Sequence, residues 1–246
     1  MNYLLDLHTH TLASGHAYNT IKEMVRAASL AGLHMLGITE HAPKMPGTCQ
    51  LYYFQNFKVL PRTMEGVQLL FGAELNILDA DGHVDLPEET LAKLDITVAS
   101  LHIPCITPGS IKENTRAVLN AIRNPYINII GHPDDGRYPL DYEAIVLEAK
   151  KYHTLLEVNN SSLNPQGFRK NTRENDLEML KLCKSYGVPV IVSSDAHFAG
   201  DVGRFPFAKD VLKEADFPEN LVANHRKELL YATLAQKKNR SGFYKF

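Results

Sequence analysis

The sequence predicts an α/β barrel. Three observations lead there. Apolar, strand-like runs alternate with amphipathic stretches of about ten to fifteen residues, the sign of a parallel sheet. Seven such βα units fit into 246 residues, which favours a closed or nearly closed barrel over an open doubly wound sheet. Finally, the end of nearly every run carries a histidine or a carboxylate, and a parallel barrel concentrates its chemistry at the C-terminal ends of its strands. No G-x-G-x-x-G or Walker loop follows any run, so the phosphate cradle of a dinucleotide or NTP fold is lacking.

Residues 4–7 open the chain as a strand. Residues two apart on a strand share a face, so in Asp6-Leu7-His8-Thr9-His10 the groups Asp6, His8 and His10 project together, away from Leu5, Leu7 and Thr9. After a loop over 12–19, a helix over 21–31 starts with a capping box, Thr20 and Glu23, and stops at Gly32. Residues 35–39 form the second strand, and a loop bearing Pro43 and Pro46 follows. The aromatic-rich stretch 51–64 has no clear period. Within it 59–63 reads as a short helical piece, and 51–57 as a segment shaping the mouth of a pocket. Strands three to seven fall at 67–75, 96–101, 127–131, Leu155–Asn159 and 189–193. Helices separate the later ones at Ile111–Arg123 (capping box Ser110 and Glu113), Tyr142–Tyr152 after Asp141, and Thr172–Tyr186, closed by Gly187. Beyond Phe198 the chain reads as helical to Gln236. The basic run Lys237, Lys238 and Arg240 then reads as a solvated end. The expected organisation is one domain over 1–246, a barrel to about residue 200 with C-terminal helices over 201–246.

Composition narrows the function. Twenty-six Lys and Arg against 28 Asp and Glu give a formal charge of −2, without the basic stripe of a nucleic-acid binder. Cys49, Cys105 and Cys183 form no CxxC pair and suit reduced thiols in the cytosol. Neither a leader nor a membrane-length apolar run is visible, so the expected location is cytoplasmic.

The histidines carry the chemistry. Strand one ends in His8 and His10, with His16 in the loop beyond, and strand two ends in Thr39-Glu40-His41. Strands three, four and five run into Gly72-Ala73-Glu74, Ser100-Leu101-His102 and Gly131-His132-Pro133. Strand seven ends in Ser193-Ser194-Asp195-Ala196-His197. Seven of the eleven histidines therefore fall at one rim, together with Glu74 and Asp195. Imidazole and carboxylate without thiolate suit Zn, Fe or Mn and do not choose among them. Asp6, one step behind His8, is expected to orient a metal-ligating imidazole. His34, His83, His153 and His225 read as turn or structural residues.

In this order, Asp6-Leu7-His8-Thr9-His10-Thr11, Ile38-Thr39-Glu40-His41, Gly72-Ala73-Glu74, Ser100-Leu101-His102, Gly131-His132-Pro133 and Ser194-Asp195-Ala196-His197 resemble the PHP (polymerase and histidinol phosphatase) superfamily. Glu157-Val158-Asn159-Asn160-Ser161-Ser162 resembles a stretch of its small stand-alone YcdX-like phosphatases. The resemblance implies a distorted seven-stranded (β/α) barrel holding three divalent metal ions, zinc foremost, with Mn or Fe as alternatives. It implies that His8, His10, Glu74 and Asp195 hold one ion. Glu74 would bridge to a second, shared with His102 and His132, and His16, His41 and His197 would hold the third. Glu40 is a departure, since relatives often carry Asp there. The implied activity is hydrolysis of small phosphate monoesters by a metal-bound hydroxide.

In such a site Arg169, after strand six, reads either as a phosphate clamp or as a surface loop residue. Asp134 is a weaker candidate for protonating the leaving oxygen, and Arg137 is weaker still. The expected partner is a small phosphorylated substrate, with no membrane and no nucleic acid beyond a short oligonucleotide; a homo-oligomer stays open. The rival expectations are a histidinol phosphatase, an amidohydrolase-type metal hydrolase, and a non-catalytic metal-binding accessory module.

Overall fold

The computed structural model describes residues 3–237; Lys238 and Arg240 of the basic run lie outside the described residues. Eight strands form one sheet: β1 (Leu5–Asp6), β2 (Met35–His41), β3 (Thr63–Met64), β4 (Val67–Asn76), β5 (Ile96–Ser100), β6 (Ile129–Ile130), β7 (Leu155–Asn159) and β8 (Val190–Ser193). Seven of them run parallel in the order β1-β2-β4-β5-β6-β7-β8 and curl into a nearly closed barrel. The helices are α1 (Ile21–Leu30), α2 (Leu51–Gln55), α3 (Glu88–Leu91), α4 (Ile111–Arg123), α5 (Tyr142–Tyr152), α6 (Thr172–Tyr186), α7 (Pro206–Glu214) and α8 (Lys227–Gln236). Both capping boxes form, with Glu23 accepting from the Thr20 amide at 2.7 Å and Glu113 from the Ser110 amide at 2.9 Å.

Two apolar layers follow from strand alternation. Leu5, Leu7, Met35, Leu70, Ile96, Val98, Ile129, Leu155 and Ile191 are buried in one cluster, drawn from or next to all seven parallel strands. Only the barrel interior is common to all of them. Leu230 and Leu234 of α8 join that cluster, so α8 plugs the barrel. The opposite faces, such as Leu36, Ile38, Phe71 and Val158, pack in a larger cluster with α1, α4, α5 and α6. Gly72 permits the β4–β5 approach, because a Cβ there would stand 1.9 Å from the Ile96 carbonyl oxygen.

The seam between β1 and β8 is closed by other means. His10 donates its amide to the Ala196 carbonyl at 2.9 Å. Further down the seam, the buried Asn224 carboxamide accepts from the Val192 amide (2.7 Å) and donates to the carbonyls of Leu5 (2.8 Å) and Val192 (2.7 Å). One side chain thus supplies the hydrogen bonds that a strand ladder would otherwise make.

Several expectations need correction. The 59–63 stretch is not helical as a unit: Phe57–Val59 makes one 3-10 turn, and Thr63–Met64 is β3, a hairpin partner of β4. Glu65 (φ 48°) and Gly66 (φ 78°) form its two-residue turn. Helix α2 was not resolved by periodicity, and α3 was not foreseen. The region past Phe198 is not one helix; short 3-10 turns separate α7 from α8. Lys237 is buried, its Nζ donating to the Ile122 carbonyl at 3.0 Å, so the basic run does not begin as a solvated end.

Candidate metal centre

The nine side chains His8, His10, His16, His41, Glu74, His102, His132, Asp195 and His197 meet at the C-terminal mouth of the barrel. Glu74 stands in the middle. Its Oε1 lies 3.3 Å from His8 Nε2, 3.1 Å from His102 Nε2 and 3.0 Å from His132 Nε2. Its Oε2 lies 3.5 Å from His10 Nε2 and 2.6 Å from His41 Nδ1. Asp195 Oδ1 faces His10 Nε2 at 3.2 Å and His8 Nε2 at 3.5 Å. His16 completes the outer side, its Nε2 standing 3.2 Å from Nε2 of both His41 and His197.

What fits this arrangement is decided by the far nitrogens of the rings. His8 Nδ1–H donates to Glu157 Oε1 at 2.8 Å. His102 Nδ1–H donates to Asn76 Oδ1 at 2.7 Å, and the Asn76 amide is itself fixed by donating to Ala42 and Asp85. His197 Nδ1–H donates to the Asp195 carbonyl at 2.9 Å. His10 Nδ1 meets Ser14 Oγ at 3.0 Å; that hydroxyl gives its proton to Glu40 Oε2 (2.6 Å), so it accepts from His10. In all four rings the proton is committed at Nδ1, which leaves the Nε2 lone pair aimed at the centre.

Five of the converging atoms, His8 Nε2, His10 Nε2, His41 Nδ1, Glu74 Oε2 and Asp195 Oδ1, are buried without a hydrogen-bond partner among the described residues. Each such atom costs about 1–3 kcal/mol unless something satisfies it. Three overlapping trios, His10/His41/His197, His8/His10/Glu74 and His41/Glu74/His102, each bring one ligand atom apiece within 4.8 Å of one another. Lone pairs and carboxylate oxygens turned inward, with no thiolate, are a donor set for a hard or borderline divalent cation.

Burial pushes the Glu74 carboxyl up, but His102, His8 and His41 outweigh it and hold Glu74 well below the usual carboxylate range. Burial acts the same way on Asp195, against His8, His10 and Arg169, and it too stays ionised. Backbone strain gathers at the same place, since His132 and Asp195 carry positive φ (31° and 53°) at the ends of β6 and β8.

Asp6 does not take the place expected of it. Regular pairing of the first strand ends at Asp6, and the two-residue alternation holds only through Leu7, so His8 turns to the centre without Asp6 beside it. Leu5 and Leu7 face the barrel interior, whereas the Asp6 carboxylate accepts from the amides of Ser194 (3.1 Å) and Gly203 (3.0 Å). Burial pushes its carboxyl up to about 6, against those hydrogen bonds. The imidazole-orienting bond assigned to it is made by Glu157, on β7, which also accepts the His132 amide at 2.8 Å.

Asp134 is fully buried, is absent from the cavity wall, and accepts from Ser162 Oγ at 3.2 Å. Burial lifts its carboxyl to about 7, and it stands behind Ser162 rather than on the cavity wall.

Arg169 does line the cavity. Its Nη1 and Nη2 both lie 3.3 Å from Asp195 Oδ2, and Nη1 donates to Ser162 Oγ at 3.0 Å. Arg137 also lines the cavity, held by Asp135 at 2.6 Å.

Sequence reasoning assigned no role to Glu157, Asn76 or Ser14. Glu157 was flagged by the motif at 157–162, and Asn76 lies two residues past Glu74 on the same strand face. Ser14, at the end of the short 3-10 turn Leu12–Ser14, left no periodic signal. The remaining histidines stay outside the centre. His83 pairs with Asp79 (2.8 Å), His153 caps α5 in a left-handed conformation, and His225 packs edge-on against Tyr3.

The centre opens into a cavity of about 750 Å³. Among known proteins, the sequence model of the PHP domain matches residues 6–223. A protein of Clostridium novyi named a probable phosphatase is 47% identical over 237 residues, 96% of each chain. One of Thermoanaerobacter sp., also named a probable phosphatase, is 48% identical over 243 residues, 98% of each chain. Among solved structures, the histidinol phosphate phosphatase of Lactococcus lactis, complexed with zinc, L-histidinol and phosphate, superposes with a TM-score of 0.62. Its identity is 18%, over 89% of this chain and 95% of that one.

Proposed function

The chain belongs to the PHP family, and on that footing we propose that it is a metal-dependent phosphatase hydrolysing small phosphate monoesters with three divalent ions held at the centre built on Glu74. The observation that carries this reading is the set of four imidazoles whose Nδ1 protons are tied back, leaving Nε2 lone pairs beside two ionised carboxylates. His8, His10, Glu74 and Asp195 would hold one ion. Glu74 with His102 and His132 would hold a second, and His16, His41 and His197 the third. When bound, such ions supply Lewis-acid charge to a phosphoryl group and draw a nucleophile from water at neutral pH.

The chain's own residues do the rest. Glu157, Ser14 and Asn76 fix ring orientation, so the Nε2 atoms need no rearrangement. Arg169, clamped by Asp195 and Ser162, presents its guanidinium to the cavity and binds the phosphoryl oxygens. The bond from phosphorus to the leaving oxygen breaks as one from water's oxygen forms; one proton of that water ends on the leaving alcohol and the other stays with the phosphate.

The amidohydrolase reading yields to the PHP match and to Glu74 at the place where that class uses a modified lysine. Metal analysis with a phosphatase assay tests the proposal. His8→Ala and Glu74→Ala should abolish turnover of an aryl phosphate while the far-UV spectrum stays native. Wild-type rates in either variant contradict it, and full metal occupancy without hydrolysis of any phosphoester favours the accessory-module reading.

A further inference from the structure

The phosphate-binding centre occupies only the floor of the cavity. A volume of about 750 Å³ accommodates a whole drug-sized ligand, far more than one phosphoryl group. What lines the remainder therefore bears on the leaving group.

The cavity wall above the centre carries aromatic side chains and arginines. Phe168 lines it and is 70% exposed, and Phe207 and Ile103 line it as well. Two guanidinium groups attend the Phe168 ring, Arg137 at 4.8 Å and Arg169 at 5.4 Å from its centroid. Arg169 is also the group that contacts Asp195 at 3.3 Å, so a single side chain spans from the metal centre to the aromatic ring. Arg204 adds a third arginine to the lining, while Asp195 offsets Arg169 at 3.3 Å and Asp135 offsets Arg137 at 2.6 Å.

A leaving group carried on a protonated amine meets three arginines here and, beneath them, the divalent ions. A planar, uncharged or anionic ring gains from the same surroundings, since it stacks on Phe168 and places its edge beside the arginines.

Resting on the phosphatase reading above, we propose that Phe168, held by Arg137 and Arg169, is a stacking platform that selects phosphate monoesters whose leaving portion bears a planar, non-cationic ring. Simple alkyl phosphates lack the ring, and cationic aminoalkyl phosphates, histidinol phosphate among them, carry the wrong charge.

The test compares esters with leaving alcohols of similar acidity, so that ring and charge rather than leaving-group chemistry are read. The metal-loaded protein is given benzyl phosphate, ethyl phosphate, 2-aminoethyl phosphate and histidinol phosphate. The expected kcat/KM for benzyl phosphate exceeds that for ethyl phosphate by about tenfold, the scale of one stacked aromatic pair, and exceeds both cationic esters by more. Phe168→Ala, at an exposed position that leaves the fold intact, should shrink the benzyl-to-ethyl ratio to near one through KM. Phe168→Tyr should keep it. Equal wild-type rates on benzyl and ethyl phosphate, a ratio unmoved by Phe168→Ala, or a preference for histidinol phosphate overturns this inference and leaves the phosphatase reading standing. Hydrolysis of none of the four at full metal occupancy overturns both.

Discussion

At the scale of single residues, the account turns on protons held away from the centre. Glu157 is the clearest case. It accepts from His8 Nδ1 and from the His132 amide, and its carboxyl is kept below the usual range because His8 and His132 outweigh the penalty of burial. Glu157→Gln keeps the shape but trades a charge for a neutral amide, so divalent metal affinity should fall by about 10–100-fold. Competition against a chelator reads this directly, and an unchanged affinity would show that His8 needs no such partner.

A second residue-scale expectation concerns Asp176, which plays no part in the chemistry. It is fully buried, neither oxygen has a hydrogen-bond partner among the described residues, and burial beside Asp134 and Glu157 raises its carboxyl well above the ordinary range. A carboxyl raised by folding adds stability below its unfolded value. That stability is lost as the pH climbs through the folded value. Asp176→Asn should therefore be more stable than the parent by roughly 1–3 kcal/mol at neutral pH and above, with the difference vanishing near pH ~4. Urea midpoints across that range check the sign; a variant less stable at neutral pH would refute it.

The residues that were legible share one property. His41, Glu74, His102 and Asp195 end regular strands, where apolar pattern and polar punctuation are easy to read. Asp6 misled because alternation was extended past Leu7, where it ends. Glu157 faces inward with the same parity as Leu155, yet a lone glutamate in a strand names no partner until the fold brings His8 to it.

Among the elements, the parallel strands and long helices were readable because their periods are 2 and 3.6 and their caps are explicit. The hairpin of β3 and β4 was not, although Glu65-Gly66 stands just before the long β4 run as a two-residue turn. Two residues of strand carry too little pattern to declare themselves. A closed barrel was expected from the sequence, but the way its seam is held was equally hidden, since it depends on a side chain from beyond the last strand. Asn224 makes three hydrogen bonds to β1 and β8, and all are buried. Asn224→Ala would strand those backbone groups, and the expected loss is about 2–4 kcal/mol by denaturant titration. A change below the usual surface range of about 0.5 kcal/mol would mean that the seam is held elsewhere.

For the whole molecule, the two ends of the barrel divide the labour. Leu230 and Leu234 of α8 fill one end with apolar side chains, while inward-facing histidines and carboxylates occupy the other. No helix among the described residues is long and apolar enough to cross a membrane. Buried donor atoms without a partner cost stability until a cation satisfies them, so metal binding and folding energy are linked. That linkage makes metal content the most direct measurement. Native mass spectrometry of the purified chain, alongside its phosphatase rate during stepwise chelation, should find three divalent ions per chain, activity falling as ions leave, and recovery on their return. Full activity in a chain stripped of metal would contradict the account at its root.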